Sequence, residues 1–343
     1  MKYEVLSRQM VCTALPTAIC HASTVLALRD GTVLSAWFGG SREGEADVSI
    51  WVARRENGNW LPPMSIAHLN EAHWNPVLQQ LDDHTIRLYY KVGQIIADWR
   101  TMVCESTDGG RTWSLPRELV PGDASGGRGP VRSKVIKLSS GRFLAPCSTE
   151  RGVWTCYADR SDDCGVTWVR SEPIRIEGLI DDGSRTVADS NVPVAEQSFY
   201  GRGVIQPTLW ESAPGQVHML MRSTEGHIYR SDSTDDGSSW CAPYPLELPN
   251  NNSGIDLDRL DNGDLLLVCN PVADNWGART PISLLLSQDN GMSWENVMDL
   301  DTGVGEFAYP AIVAQGQEFR ITYTWKRENI AYWHIRLIQE ENS

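Results

Sequence analysis

The chain reads as an all-β protein: a six-bladed β-propeller of four-stranded antiparallel blades, folded as a single domain over residues 1–343. Three observations predict it. An octet of pattern Ser-x-Asp-x-Gly-x-Ser/Thr-Trp occurs four times, as "STDGGRTW" from 106, "SDDCGVTW" from 161, "STDDGSSW" from 233 and "SQDNGMSW" from 287. A unit of apolar strand, tight turn and apolar strand occurs six times. No stretch carries a helical period, whereas short alternating runs such as "FRITYTW" are frequent.

Each octet position suits a tight turn between two strands. Asp108, Asp163, Asp235 and Asp289 can fold back onto nearby backbone N–H groups, and Gly110, Gly165, Gly237 and Gly291 accept the positive φ that such a turn requires. Trp113, Trp168, Trp240 and Trp294 then resume the apolar pattern, each with a large surface to wedge between neighbouring units. The octets are therefore structural, and chemistry is expected elsewhere.

The strand–turn–strand units are "STVLALRDGTVLSAWF", "PVLQQLDDHTIRLYYKV", "SKVIKLSSGRFLAPC", "PTLWESAPGQVHMLM", "DLDRLDNGDLLLVC" and "PAIVAQGQEFRITYTW". Their turn residues Gly31, His84, Gly141, Gly215, Gly263 and Gly316 lie 53, 57, 74, 48 and 53 residues apart, room for four short strands each. The octet joins the last two strands of its unit; "RRENGNW", ending at Trp60, is a degenerate version in the first unit, and the sixth has none. Closing the units into a ring protects the sheet edges, with "YEVLSRQ" near the N-terminus completing the last blade. The long fourth interval holds an inserted loop at about 178–205, polar and glycine-containing, of the kind that becomes functional.

Composition narrows the partners. A formal net charge of −14 disfavours nucleic acid and anionic membrane, and no apolar run is long enough for a transmembrane helix. The N-terminal "MKYEVLSRQMVC" lacks the layout of a signal peptide, so a cytoplasmic location is expected, and "NNS" at 251–253 would serve as a glycosylation sequon only in a secreted chain. Eight scattered cysteines show neither Cys-x-x-Cys nor Cys/His metal spacing, which favours buried free thiols over disulfides or zinc. Neither a metal nor another cofactor is expected.

In a propeller the innermost strands converge on the axis, and a ligand is held at one end of the channel. The residues before each hairpin and those opening each third strand are His21, Asn75, Arg132, Gln206 and Tyr309, with Arg42, Glu43, Asp47, Lys91, Asp98, Arg100, Arg222 and Arg279. For an acidic protein this ring is rich in cations.

These residues bring out a resemblance to the sialidase superfamily of Asp-box (bacterial neuraminidase repeat) six-bladed propellers, over almost the whole chain. "GARTPISLLLSQDNGMSW" places Arg279 and "MLMRS" places Arg222 where that family keeps two of its three carboxylate-clamping arginines. "EFAYPAIVAQG" places Tyr309 at the family's nucleophilic tyrosine. "GGSREGEADVSI" resembles the segment with an auxiliary arginine and the acid/base aspartate, which implies Arg42 and Asp47, with Glu43 or Glu45 as alternatives to the latter. Three positions depart from the pattern: His21 replaces the first clamp arginine, Gln206 replaces the glutamate that activates the tyrosine, and Asn75 replaces a further aspartate.

A phenol with a pKa near 10 is a poor nucleophile at neutral pH without a base, and Gln206 cannot be one; Glu211 or Glu196 could supply it. The resemblance implies a glycoside hydrolase acting on a carboxylate-bearing sugar or oligosaccharide. Its expected catalytic residues are Tyr309, Asp47 and His21, and its expected substrate-binding residues are Arg222, Arg279, Arg42, Gln206, Asn75, Lys91 and Arg132. Two alternatives stay open: a uronate-directed lyase using His21 and Tyr309, and a carbohydrate-binding propeller without turnover. The departures lead to an expectation of slow turnover of simple α-sialosides, and His21 as acid or base would give a pH limb near 6–7.

Overall fold

The structure, a computed structural model, describes residues 2–67, 69–186 and 199–338. Among them the one helical element is a 3-10 turn, Ile96–Asp98, and all other regular structure is β. The first unit comprises Ile19–Ala27, Val33–Gly40 and Ser49–Glu56, with short strands Asn59–Trp60 and Met64–Ala67 both pairing with Ser49–Glu56. The second comprises His73–Gln80, Ile86–Val92, Arg100–Ser106 and Arg117–Glu118; the third Ile136–Lys137, Phe143–Thr149, Val153–Ser161 and Val169–Arg170. The fourth comprises Arg202–Ala213, Gln216–Ser223, His227–Ser233 and Tyr244–Pro249; the fifth Asp256–Arg259, Leu265–Cys269, Ile282–Ser287 and Glu295–Asp301. In the sixth, Phe307–Gln315, Glu318–Trp325 and Asn329–Ile338 are completed by the N-terminal strand Lys2–Met10, antiparallel to Asn329–Ile338 with Arg8 opposite Trp333.

Hydrogen bonding groups these units into five sheets rather than the six separate four-stranded blades that the repeats predict. The third and fourth units share an eight-stranded sheet through a short parallel pairing, Val153 with Arg202 and Trp154 with Gly203. Glycine permits that approach: a Cβ on Gly203 would sit 2.4 Å from the Trp154 carbonyl oxygen. The whole is an all-β propeller.

The middle strands read as near-continuous apolar runs because neighbouring units cover both their faces. Ile86–Val92 and Leu265–Cys269 are buried at every position, whereas the outermost Tyr244–Pro249 alternates between exposed and buried. Polar side chains stitch the innermost strands together. Asp256 accepts hydrogen bonds from Thr208 Oγ1 at 2.9 Å, Lys134 Nζ at 3.0 Å and Ile312 N at 3.0 Å, so one buried carboxylate ties the third, fourth, fifth and sixth units.

The octets repeat one hydrogen-bond mesh. In the second unit Asp108 Oδ1 accepts from Arg111 N and Thr112 N, its Oδ2 accepts from Thr112 Oγ1, and Ser106 Oγ accepts from Gly110 N. The same bonds recur around Asp163, Asp235 and Asp289. Each octet also clamps the preceding unit: Arg87 donates to the carbonyls of Cys164 and Gly165, Arg142 to that of Asp236, and Arg230 to that of Asn290. Trp168 packs with Val77 and Tyr89, and Trp240 with Leu138 and Leu144, so the tryptophans do wedge between units. Replacing Asp235 by Ala should lower stability to urea by about 1 kcal/mol, the scale of losing a side-chain cap on backbone N–H groups, and leave the activity of the folded protein unchanged. A comparable loss of activity would mean that the octets do more than hold blades together.

All eight cysteines are unpaired; six are buried, and Cys164 and Cys241 are exposed. Asn251, Asn252 and Ser253 are buried, so the sequon offers no surface for a glycan. The described ends of the inserted loop dock on the wall of the site, with Phe199 edge-on to Trp276 at 5.2 Å, while Glu196 lies outside the described residues.

Candidate active site

Strand direction separates the octets from the site. Along the third strand of the second unit, Ser106 pairs with Ile86 and Arg100 with Val92, so the octet and the start of that strand lie at opposite ends of the sheet. At the octet-free end, the first strand of four units bulges at the same place. Ala22, Asn75, Gln206 and Tyr309 have φ between 41° and 56°, and the strand register slips beside each of them. A left-handed conformation costs a non-glycine residue about 1 kcal/mol or more, and it persists only where surrounding structure enforces it. Here the bulge backbone is held across unit boundaries: Thr324 Oγ1 accepts from Ala22 N, and Ser148 Oγ accepts from Gln206 N.

The bulges surround a narrow recess walled by His21, Phe38, Glu43, Trp74, Asn75, Ile96, Trp99, Glu150, Gln206, Arg222, Trp276 and Tyr309. Five of the expected site residues therefore meet: His21, Asn75, Gln206, Arg222 and Tyr309. Arg222 Nη1 donates to the Tyr309 hydroxyl at 2.6 Å and to Gln206 Oε1 at 3.0 Å, and its Nε donates to Asn252 Oδ1 at 3.1 Å. The guanidinium carbons of Arg222, Arg279 and Arg132 lie 5.4, 5.3 and 5.5 Å from the centre of the Tyr309 ring. Gly254 leaves room for that ring, since a Cβ there would come within 3.1 Å of it. An aromatic arc runs from Tyr309 to His21 at 4.3 Å, then Phe38 at 5.6 Å, Trp74 at 5.8 Å and Trp99 at 5.3 Å, the kind of surface on which a sugar face packs.

Behind the wall runs a chain of buried charges, of which sequence reasoning missed Glu306 and Arg327. Glu306 binds Arg279 through Oε1 at 2.6 Å and Arg327 through Oε2 at 2.9 Å, and Arg327 also holds Glu43. Burial pushes the Glu306 carboxyl up, but the two guanidinium groups outweigh it and hold it below the ordinary glutamate value. Arg327 stands beside His21: its carbonyl accepts from Cys20 N at 3.0 Å, and its charge acts on the imidazole. Among the described residues, Arg132 Nε and Nη1, Arg279 Nη2, Arg327 Nη2 and Asn252 Nδ2 are buried donors without a hydrogen-bond partner. Such a concentration of unspent donors around one tyrosine is suited to an anionic ligand.

Several expected residues lie elsewhere. Asp47 is exposed and closes its own turn, accepting from Ser41 N at 3.0 Å and Ser41 Oγ at 2.9 Å, and Arg42 is an exposed partner of Glu45. The loop presents Glu43 to the pocket instead, because Arg327 draws that carboxylate inward. Lys91 is buried, donating to Thr101 Oγ1 at 2.7 Å and the Arg128 carbonyl at 2.9 Å; burial lowers it to about 8, and its ammonium is used inside the protein. Arg132 lies beneath Tyr309 rather than in the wall and donates to the Pro310 carbonyl, and burial brings it down to about 10. Asp98 and Arg100 pair away from the pocket, with Arg151 and with Glu71 and Glu118. Glu211, considered as a replacement base, instead accepts from Ser139 N and Oγ. His21 is driven well below its ordinary value, first by burial and then by Arg327, Arg279, Arg132 and Arg222, so it stays neutral and the limb expected near pH 6–7 does not come from it.

Glu150 is the other missed residue. It directly follows the second strand of the third unit and lines the pocket; burial pushes it up to about 7, with Arg222 opposing and Glu43 adding to the shift. A charged residue directly after the apolar run "FLAPCST" is the one signal that could have found it. Among the described residues no group of three His, Cys, Asp or Glu side chains is placed to hold a metal ion, and no helix is long and apolar enough to cross a membrane.

Octet turns on one rim and an arginine-ringed tyrosine at the other define a sialidase-like propeller. The chain belongs to the family described as "BNR repeat-like domain", whose model matches residues 31–321. No curated protein matches it by sequence. Among solved structures, the Hadza microbial sialidase Hz136 superposes with a TM-score of 0.74 at 17% identity, over 94% of this chain and 66% of its own. A Dyadobacter fermentans protein of unknown function superposes at 0.73 and 16% identity, over 98% of this chain and 99% of its own. The NanB sialidase from Streptococcus pneumoniae does so at 0.69 and 12% identity, over 96% and 70%. The chain thus spans just under two thirds of the Hadza sialidase and nearly all of the Dyadobacter protein, and at these identities the likeness is one of fold.

Proposed function

We propose that this propeller is a glycoside hydrolase that removes a carboxylate-bearing sugar, and that its eight-stranded sheet counts as two of six blades. The observation that carries the reading is the placement of Tyr309. Its hydroxyl is bonded to Arg222, its ring is flanked by Arg132, Arg222 and Arg279, and it lines one recess with His21, Gln206 and Glu150. Arg222 and Arg279 would grip the carboxylate, and the aromatic arc would carry the apolar face of the ring. Arg222 also donates to the Tyr309 oxygen, so it is placed to stabilise negative charge that gathers there in the transition state.

The test is a panel of α-sialosides, glucuronides and galacturonides, followed both for reducing sugar and for the ultraviolet absorbance of an unsaturated uronate. We expect one acidic glycoside to release reducing sugar without the chromophore, with inhibition by the free acidic sugar and not by its carboxamide. Simple α-sialosides should be slow, because neutral Gln206 occupies the position of the tyrosine's base. No turnover across the panel, or equal inhibition by acid and carboxamide, would overturn the reading; the chromophore would turn it to elimination.

A further inference from the structure

The expected Asp47 and three carboxylates around the recess could move a proton, and three of these four are committed. Asp47 is turned away and bonded to Ser41, Glu306 is locked between Arg279 and Arg327, and Glu43 is held by Arg327. Glu150 alone has no hydrogen-bond or ion-pair partner among the described residues, although its side chain lines the same space as Tyr309 and Arg222. We propose that Glu150, rather than the expected Asp47, is the general acid of this site and gives its proton to the oxygen of the departing alcohol. The assignment rests on the glycosidase reading above.

The surroundings of Glu150 suit that task. It lines one recess with Glu43 from the first unit, Arg222 and Gln206 from the fourth, Tyr309 from the sixth, and His21 from the first, which burial keeps neutral. Burial and the charge of Glu43 disfavour ionisation more than Arg222 favours it, so the acid form persists to about pH 7, where an ordinary glutamate would long have lost its proton. The bond from the anomeric carbon to the glycosidic oxygen breaks, its electron pair stays on the oxygen, and the oxygen takes the proton of Glu150. The Tyr309 oxygen bonds to the carbon, and the phenolic proton passes to water. Water then attacks the same carbon, the bond to the tyrosine oxygen breaks with its electron pair left on that oxygen, a proton of the water passes to it, and Glu150 is reprotonated from solvent. One water is consumed overall.

Leaving-group dependence isolates this role. A 4-nitrophenolate leaves without protonation, whereas an alkyl alcohol does not. Glu150→Gln should lower kcat/KM for an alkyl glycoside about 10²–10⁴-fold, lower that for the matching 4-nitrophenyl glycoside less than tenfold, and remove the decline in wild-type activity as pH rises through about 7. Glu150→Asp, which keeps an acid, should recover part of the alkyl activity. A structural role predicts equal losses on both substrates, or no recovery with Asp, and either result would sink the assignment. If the wild type turns over neither substrate, the glycosidase reading fails and takes this with it; if the wild type turns over both and the variant does not discriminate, this inference alone fails.

Discussion

Tyr309→Phe should abolish turnover, lowering kcat/KM at least about 1000-fold, equivalent to about 4 kcal/mol of transition-state stabilisation. The substitution deletes one oxygen and keeps the ring. The packing against Gly254, the contact with His21 at 4.3 Å and the three flanking arginines therefore remain. Only the bond from Arg222 at 2.6 Å is lost. Melting temperature and affinity for the free acidic sugar should stay close to the wild type, so the loss would fall on kcat. A variant retaining more than a tenth of wild-type activity would show that the tyrosine oxygen is not the attacking atom and would favour direct attack by water.

The second large effect is on stability. Glu306→Ala removes the carboxylate that neutralises Arg279 and Arg327 in a region that also contains Arg132 and Arg222. Removing one partner of a buried ion pair costs about 3–5 kcal/mol, because the other is left charged and desolvated. The pH dependence should change with it. Glu306 is held below the ordinary glutamate value, so its contribution is fully present above that value and is lost as pH falls through its lower folded value. Urea denaturation of wild type and variant between pH 7 and pH 3 should therefore converge at the acid end. A gap below 1 kcal/mol at pH 7 would mean that Glu43 already compensates Arg327 and that Arg279 is solvated.

The register of the repeats explains how much of this could be read in advance. His21, Asn75, Gln206 and Tyr309 stand seven to ten residues before a hairpin turn, and Arg222 seven residues after one. Position along a strand is enough to bring such residues together. The blade pattern was legible for the same reason, although the parallel seam at Trp154 and Gly203 was not, since it depends on a glycine that belongs to no repeat. The loop from Ser41 to Asp47 offered four candidate charged residues, and an inter-unit contact, Glu43 with Arg327, decides which of them faces the pocket. No periodicity encodes that choice. Arg327, Glu306 and Asn252 were not read as site residues because they sit in connections between strands, where their role is set by what they touch in the assembled site. Glu150 escaped because its interest lies in having no partner, a property of the assembled site alone.

The bulged, left-handed positions give this architecture a particular freedom. Asn75, Gln206 and Tyr309 each occupy the same backbone address in a different unit, and Ala22 occupies it next to His21. Glycine would sit there most easily, so the side chains that remain are kept against the easier conformational choice. The scaffold behaves like a combination lock with one ring per unit: exchanging a single letter at one address changes what the centre recognises, while the strands that carry the address need not move. Close relatives of such a fold can then differ in chemistry by two or three letters, and a propeller with Gln206 and His21 is one setting among them.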